Sequence, residues 1–183
     1  MPPTGDTRTR SLIGLTGFMG SGKTTVGRLL ASHLGWRFVD LDSRIEERAE
    51  LSIPAIFERL GEPAFREIEY GALERVLGEA AEGRRPVVLA LGGGTVAQPP
   101  SLALLRSAPC TLVWLECPIE VLLARCATMT NRPLFRDEAS FRQLYGQRLP
   151  FYQQAGHRVD SNDDPRRVVE KILALGLVEK VIA

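Results

Sequence analysis

Cysteine, histidine, net charge and long apolar runs are all in short supply in this chain. Among its 183 residues there are only three cysteines, Cys110, Cys117 and Cys126. The number is odd and no two form a C-x-x-C pair, so neither a disulfide framework nor a zinc site is indicated. The thiols are expected to be buried and inert. His33 and His157 stand far apart without ligand spacing and are read as structural. No stretch approaches the roughly 18 consecutive apolar residues that a membrane span needs. A formal net charge of +1 removes the general basic field expected of a nucleic-acid binder. Residues 1–10 are polar, carry Arg8 and Arg10, and lead into no apolar signal segment; they are read as a disordered tail. With so little cysteine, the expected compartment is the cytoplasm. Trp36 and Trp114 fall at a helix end and inside a strand, positions that indicate packing. No internal repeat or low-complexity linker appears, so residues 11–183 are read as one domain, with a monomer as the default.

What is present is concentrated near the start. Gly17-Phe-Met-Gly20-Ser-Gly22-Lys23-Thr24 fits the phosphate-binding pattern G-x-x-x-x-G-K-S/T in full. Apolar Leu12, Ile13 and Leu15 precede it, and Val26, Leu29, Leu30 and Leu34 follow at helical spacing. The motif therefore lies where a strand turns into a helix. There, glycine-rich backbone N–H groups and a helix N-terminus converge on one anion. Lys23 is placed to reach the outer phosphates of a nucleotide, and the Thr24 hydroxyl to ligate Mg²⁺.

Further along, apolar runs predict strands at 11–16, 37–41, 87–91, 111–115 and 158–159. Amphipathic stretches between and after them predict helices, including 120–127, 140–155 and 165–175. Phe65, Ile68, Ala72, Leu73, Val76, Leu77 and Ala80 form one clear stripe. Such alternation argues for a parallel sheet covered on both faces, with ligands gathered at the carboxyl ends of the strands. At the second of those ends lie Asp40 and Asp42, which share a face if the segment is extended. Asp42 could equally cap a following helix. The third ends in Gly92-Gly93-Gly94-Thr95 where many phosphate-loop proteins carry a Mg²⁺-holding carboxylate, so Asp40 becomes the candidate for that role. Arg66 and Glu69 share a helix face and could be no more than a solvated pair. A loop around Arg132 and Pro133 is rich in arginine and has the composition of a lid that excludes water from a phosphoryl-transfer site. Arg148 could serve only as a helix C-terminal dipole partner.

Taken together, GFMGSGKTTVGRLLA at 17–31, VDLD at 39–42, FREIE at 65–69, LGGGT at 91–95, NRPLF at 131–135 and RLPFY at 148–152 resemble the shikimate kinase family over roughly residues 12–175. The resemblance implies a three-layer α/β/α phosphate-loop kinase fold with a five-stranded parallel sheet of order 2-3-1-4-5. It implies transfer of the ATP γ-phosphate to the 3-hydroxyl of shikimate, with Mg²⁺. By the same resemblance Gly20, Ser21, Gly22, Lys23, Thr24 and Thr25 bind nucleotide phosphates, Arg125 and Pro165 meet adenine, and Arg132 reaches the transferring phosphate from the lid. Thr24 contacts Mg²⁺, and Asp40 holds it through water. Asp42 is the proposed base. Arg66 and Arg148 clamp the shikimate carboxylate, and Gly92, Gly93 and Gly94 present backbone to its hydroxyls. The acceptor-binding region is expected at about 42–80 and the lid at about 126–138. The competing readings are a related small-metabolite kinase, such as one acting on gluconate, and a non-catalytic shikimate- or nucleotide-binding domain. A nucleotide acceptor fits the Asp-x-Asp pattern less well.

Overall fold

Leu12–Thr16 forms β1, and all five of its residues are buried. A strand with no solvent-facing side must be central and covered on both faces. In the computed structural model, which describes residues 12–83, 85–128 and 137–178, it is. The remaining strands are β2 (Arg37–Asp40), β3 (Val87–Ala90), β4 (Cys110–Glu116) and β5 (His157–Asp160). All pair in parallel, in the order β2-β3-β1-β4-β5. This is the expected topology, with boundaries shifted by a residue or two from the apolar runs.

The helices are α1 (Lys23–Leu34), α2 (Leu41–Ala49), α3 (Ile53–Glu82), α4 (Pro99–Ser107), α5 (Ile119–Ala127), α6 (Glu138–Tyr152) and α7 (Pro165–Ala174). A 3-10 turn at Thr95–Ala97 precedes α4. Polar side chains start several of them: Asp40 caps α2, Ser52 caps α3, Asp137 caps α6 and Asp164 caps α7. Pro165 follows its cap at the first helical position, where its missing N–H costs nothing. The helix expected at 140–155 starts earlier because Asp137 accepts from the Ser140 N–H, and it stops at Tyr152. Gly61 (φ 81°, ψ 172°) breaks α3 just before Pro63, so the helix has two differently directed halves.

Alternating strand residues feed two cores. Ile13, Leu15, Val88 and Val113 pack with Val26 and Leu30 of α1 and Val168 and Ile172 of α7. Leu12, Leu89 and Trp114 face the other way, toward α2, α3, α4 and α6. Leu29, expected in the α1 stripe, is 36% exposed, because the sheet contacts only the face bearing Val26 and Leu30. Each fully buried leucine contributes about 1.5–3 kcal/mol. The α1 backbone approaches β2 so closely that a Cβ on Gly27 would lie 2.6 Å from Phe38. Register then levels the strand ends: Leu15 is opposite Ala90, and Ala90 opposite Asp40. The segments leaving β1, β2 and β3 therefore emerge at one edge.

Among the described residues, no helix is long and apolar enough to cross a membrane. The tail at 1–10 lies outside the described residues, as do residues 129–136, which include Arg132 and most of the expected lid.

Candidate active site

The phosphate loop is built by backbone geometry. Gly20 and Gly22 adopt φ of 82° and 92°, values an L side chain strains to reach. Gly22 is the N-cap of α1 and offers no side-chain cap, so the first N–H groups of the helix are left to an anion. The Lys23 ammonium donates to the carbonyls of Gly17 (2.8 Å) and Phe18 (3.0 Å), which holds it over the loop. Gly20, Ser21, Gly22, Lys23, Thr24 and Thr25 line a cavity of about 500 Å³ that also reaches Arg125, Ser161 and Pro165. Ser21 behaves differently from its neighbours. Its N–H bonds the Phe18 carbonyl at 3.2 Å, and its hydroxyl is buried with no hydrogen-bond partner among the described residues. Arg125 donates to the carbonyl of Gly20 at 3.0 Å and to that of Ser161 at 3.4 Å, tying the loop to the turn after β5.

Asp40 and Asp42 do not lie on one face of an extended segment. The chain turns helical at Leu41, and Asp40, not Asp42, is the cap: its Oδ1 accepts from the N–H groups of Asp42 (3.0 Å) and Ser43 (3.4 Å). Its other oxygen accepts from the Thr24 hydroxyl at 2.7 Å. A hydroxyl and a carboxylate side by side at the mouth of a phosphate loop are hard oxygen donors of the kind Mg²⁺ takes alongside waters and phosphate oxygens. Among the described residues no group of three or more His, Cys, Asp or Glu side chains forms a metal cage. The donor set thus suits an ion held mainly by the nucleotide.

A second, smaller cavity of about 90 Å³ lies beside the first, under Met19, Ile53, Phe57 and Phe65. Arg66, Glu69, Arg148 and the Gly92–Gly94 segment also line it, and Asp42 and Gly93 border both cavities. The glycines are demanded by space. A Cβ on Gly94 would fall 2.9 Å from a guanidinium nitrogen of Arg148 and 2.9 Å from one of Arg66. One on Gly92 would fall 3.1 Å from Glu69 and 3.2 Å from Asp42. The triplet is the floor on which the two arginines and two carboxylates converge.

Arg66 and Glu69 are not a solvated pair. Glu69 is 1% exposed and holds Arg66 at 2.8 Å while accepting from the Thr95 hydroxyl at 2.7 Å. Glu62 adds a second contact to Arg66 at 3.1 Å. Nor is Arg148 a dipole partner at a helix end. It sits a turn inside α6, 6% exposed, over the Phe18 ring at 5.7 Å. Burial first, and then the neighbouring Arg66 cation, pull its pKa below the ordinary arginine value. It is still a cation at neutral pH. No carboxylate among the described residues lies within ion-pairing distance of it. Two adjacent guanidinium forks in a small cavity, one without an ion-pair partner among the described residues, have the charge and fork geometry that suit a carboxylate.

Sequence reasoning passed over Glu69, Thr95, Phe18, Met19 and Tyr152. Glu69 was visible at i+3 from Arg66, but a buried and an exposed pair have the same spacing. Phe18 and Met19 occupy the unrestricted positions of the phosphate motif, yet Met19 lines the second cavity and Phe18 lies beneath the Arg148 guanidinium.

The family model described as shikimate kinase matches residues 19–175. A shikimate kinase of Synechococcus elongatus is 43% identical over 164 residues, covering 87% of this chain and 83% of that protein. Among solved structures, shikimate kinase from Acinetobacter baumannii in complex with shikimate superposes with a TM-score of 0.83 at 38% identity, covering 93% of this chain and 95% of the other. A gluconokinase from Sinorhizobium meliloti covers 93% of each chain with a TM-score of 0.65 at 24% identity, a likeness of fold.

Proposed function

The chain belongs to the shikimate kinase family, and on that premise we infer that it transfers the γ-phosphoryl group of ATP to the 3-hydroxyl of shikimate. The observation that carries the reading is the junction of the two cavities at Asp42 and Gly93. One cavity has the lining of a nucleotide phosphate site. The other is several-fold smaller and presents guanidinium groups, a requirement that a compact carboxylated polyol meets and a second nucleotide does not. Asp42 stands where the two substrates would meet.

From this arrangement the roles follow. The α1 N-terminus and Lys23 bind the phosphates and spread the charge of a loose transition state. Arg66 and Arg148 grip the acceptor carboxylate, and the Gly92–Gly94 backbone meets its hydroxyls, so encounter is converted into proximity. Asp42 orients the attacking hydroxyl and takes its proton. Thr24 and Asp40 would hold Mg²⁺, which when bound neutralises phosphate charge. Arg125 and Pro165 flank the adenine, and Arg132 is assigned to the transferring phosphate. We place the acceptor region at about 42–80 and the lid at about 126–138. The protein is taken to act as a monomer in the cytoplasm.

An ADP-release assay with ATP and Mg²⁺ tests the reading. ADP is expected with shikimate and not with gluconate. Release with gluconate alone would move the assignment to another metabolite kinase, and release with neither acceptor would move it to a binding domain.

A further inference from the structure

Tyr152 ends α6 with its side chain fully buried. It lines neither cavity, so it touches neither substrate site directly. Its ring stacks on Trp114 of β4, with centroids 6.2 Å apart and planes 24° from parallel. Its hydroxyl donates to the carbonyl of Gly93. The Arg148 guanidinium, one helical turn earlier on the same face of α6, interacts with this phenol, and it lies 3.4 Å from where a Cβ on Gly93 would stand. On its other side Arg148 rests on the Phe18 ring, which Phe141 (4.9 Å) and Tyr145 (5.4 Å) hold edge-on. A phenylalanine would fill the same core volume as Tyr152. What the phenol adds is one polar atom, placed between the glycine segment and the second arginine. Burying a hydroxyl without need is unfavourable, so its partners point to its use.

We propose that Tyr152 is a positioning residue for the acceptor: its hydroxyl holds Arg148 and the Gly92–Gly94 segment in one register, so that the guanidinium and the backbone N–H groups meet opposite ends of the same small molecule. The proposal rests on Arg148 being a carboxylate clamp. It also gives the phosphate loop a part in acceptor recognition, through Phe18 beneath the guanidinium.

The test is Tyr152→Phe in the full chain, with KM and kcat measured for both substrates and shikimate binding measured by calorimetry. The expected result is a rise of about tenfold in shikimate KM and Kd, the equivalent of one hydrogen bond. ATP KM and kcat should stay within about twofold. A structural role alone would lower melting temperature and kcat together and leave no preference for the acceptor. In an Arg148→Ala background the same substitution should add less than about twofold, because its target is gone. Unchanged shikimate KM in Tyr152→Phe, an equal loss for ATP, or full additivity with Arg148→Ala would each overturn the proposal. If Arg148→Ala itself leaves shikimate KM unchanged, the clamp reading fails first, and the two failures are thereby distinguished. Phe18→Leu, which removes the ring beneath Arg148, provides a second variant should Tyr152→Phe not fold. It too is expected to raise shikimate KM selectively, and an unchanged value would count against the proposal.

Discussion

Gly94→Ala tests the space requirement of the proposed acceptor site directly. Gly94 has φ −109° and ψ −1°, a conformation alanine adopts without strain. The added methyl carbon would stand 2.9 Å from Arg148 Nη2, 2.9 Å from Arg66 Nη2 and 3.0 Å from Arg66 Nη1. Ordinary contacts begin near 3.5 Å, so both guanidinium groups must withdraw by roughly half an ångström or more. Neither is free to do so. Arg66 is held at 2.8 Å by Glu69, and Arg148 is buried between Phe18 and Tyr152. Losing one charge-assisted hydrogen bond to the acceptor carboxylate costs about 1.5–3 kcal/mol. At about 1.4 kcal/mol per tenfold, that is roughly a 10- to 100-fold rise in shikimate KM. Overpacking should cost about 1–3 kcal/mol of stability besides. ATP KM should move less than about twofold, because the contacts made by the new methyl belong to the acceptor half. The assay is coupled ADP release with shikimate varied at saturating ATP, alongside nucleotide binding by calorimetry. If Gly94→Ala binds shikimate as the parent does, or weakens ATP equally, the convergence of the arginines on this glycine has no bearing on the acceptor.

The other expectations concern catalysis and stability. Lys23→Ala and Asp42→Asn should each lower kcat by about a hundredfold or more while circular dichroism stays native, and near-parental turnover in either would refute its role. Burial pushes the Cys110 thiol up from 9.0 to about 12. The folded chain therefore keeps a proton that the unfolded chain releases, so stability fully present below pH 9 is lost as pH rises toward 12. Cys110→Ala should flatten that decline in melting temperature between pH 8 and 12, and an unaltered slope would exclude the thiol as its source. A Cβ on Gly146 of α6 would meet nothing within 4 Å among the described residues, so Gly146→Ala should stabilise by about 0.4–1 kcal/mol in urea denaturation. A loss of stability there would show that α6 packs more tightly on that side.

Much of this architecture could be read from the chain alone. Strand-to-helix alternation, the glycine-lysine-threonine turn and the proline at the start of α7 are local signals, and local signals survive without tertiary context. Asp40 and Gly92–Gly94 are candidates by strand-end logic, whereas Arg66 and Arg148 are candidates only through the family resemblance. Their partners were less legible. The Arg66–Glu69 pair reads the same from its spacing whether water or a protein core surrounds it. The cap of α2 is Asp40, two residues before the alternative that spacing offered at Asp42, since where the extended chain turns helical depends on β2 pairing with β3.

The sequence by itself determined that a nucleotide phosphate loop opens this domain, because its glycines, lysine and threonine are marked by spacing within a few residues, while Arg66, Asp42 and Arg148 take their acceptor-site roles only from the family resemblance. Only the tertiary structure decided how they meet. Arg148 reaches Gly93 and Gly94 across the fold, Phe18 of the phosphate motif lies beneath that guanidinium, and the Tyr152 hydroxyl donates to the Gly93 carbonyl. Those contacts depend on sheet order and helix packing, which bring together segments far apart in the chain and leave no periodic trace in any one of them.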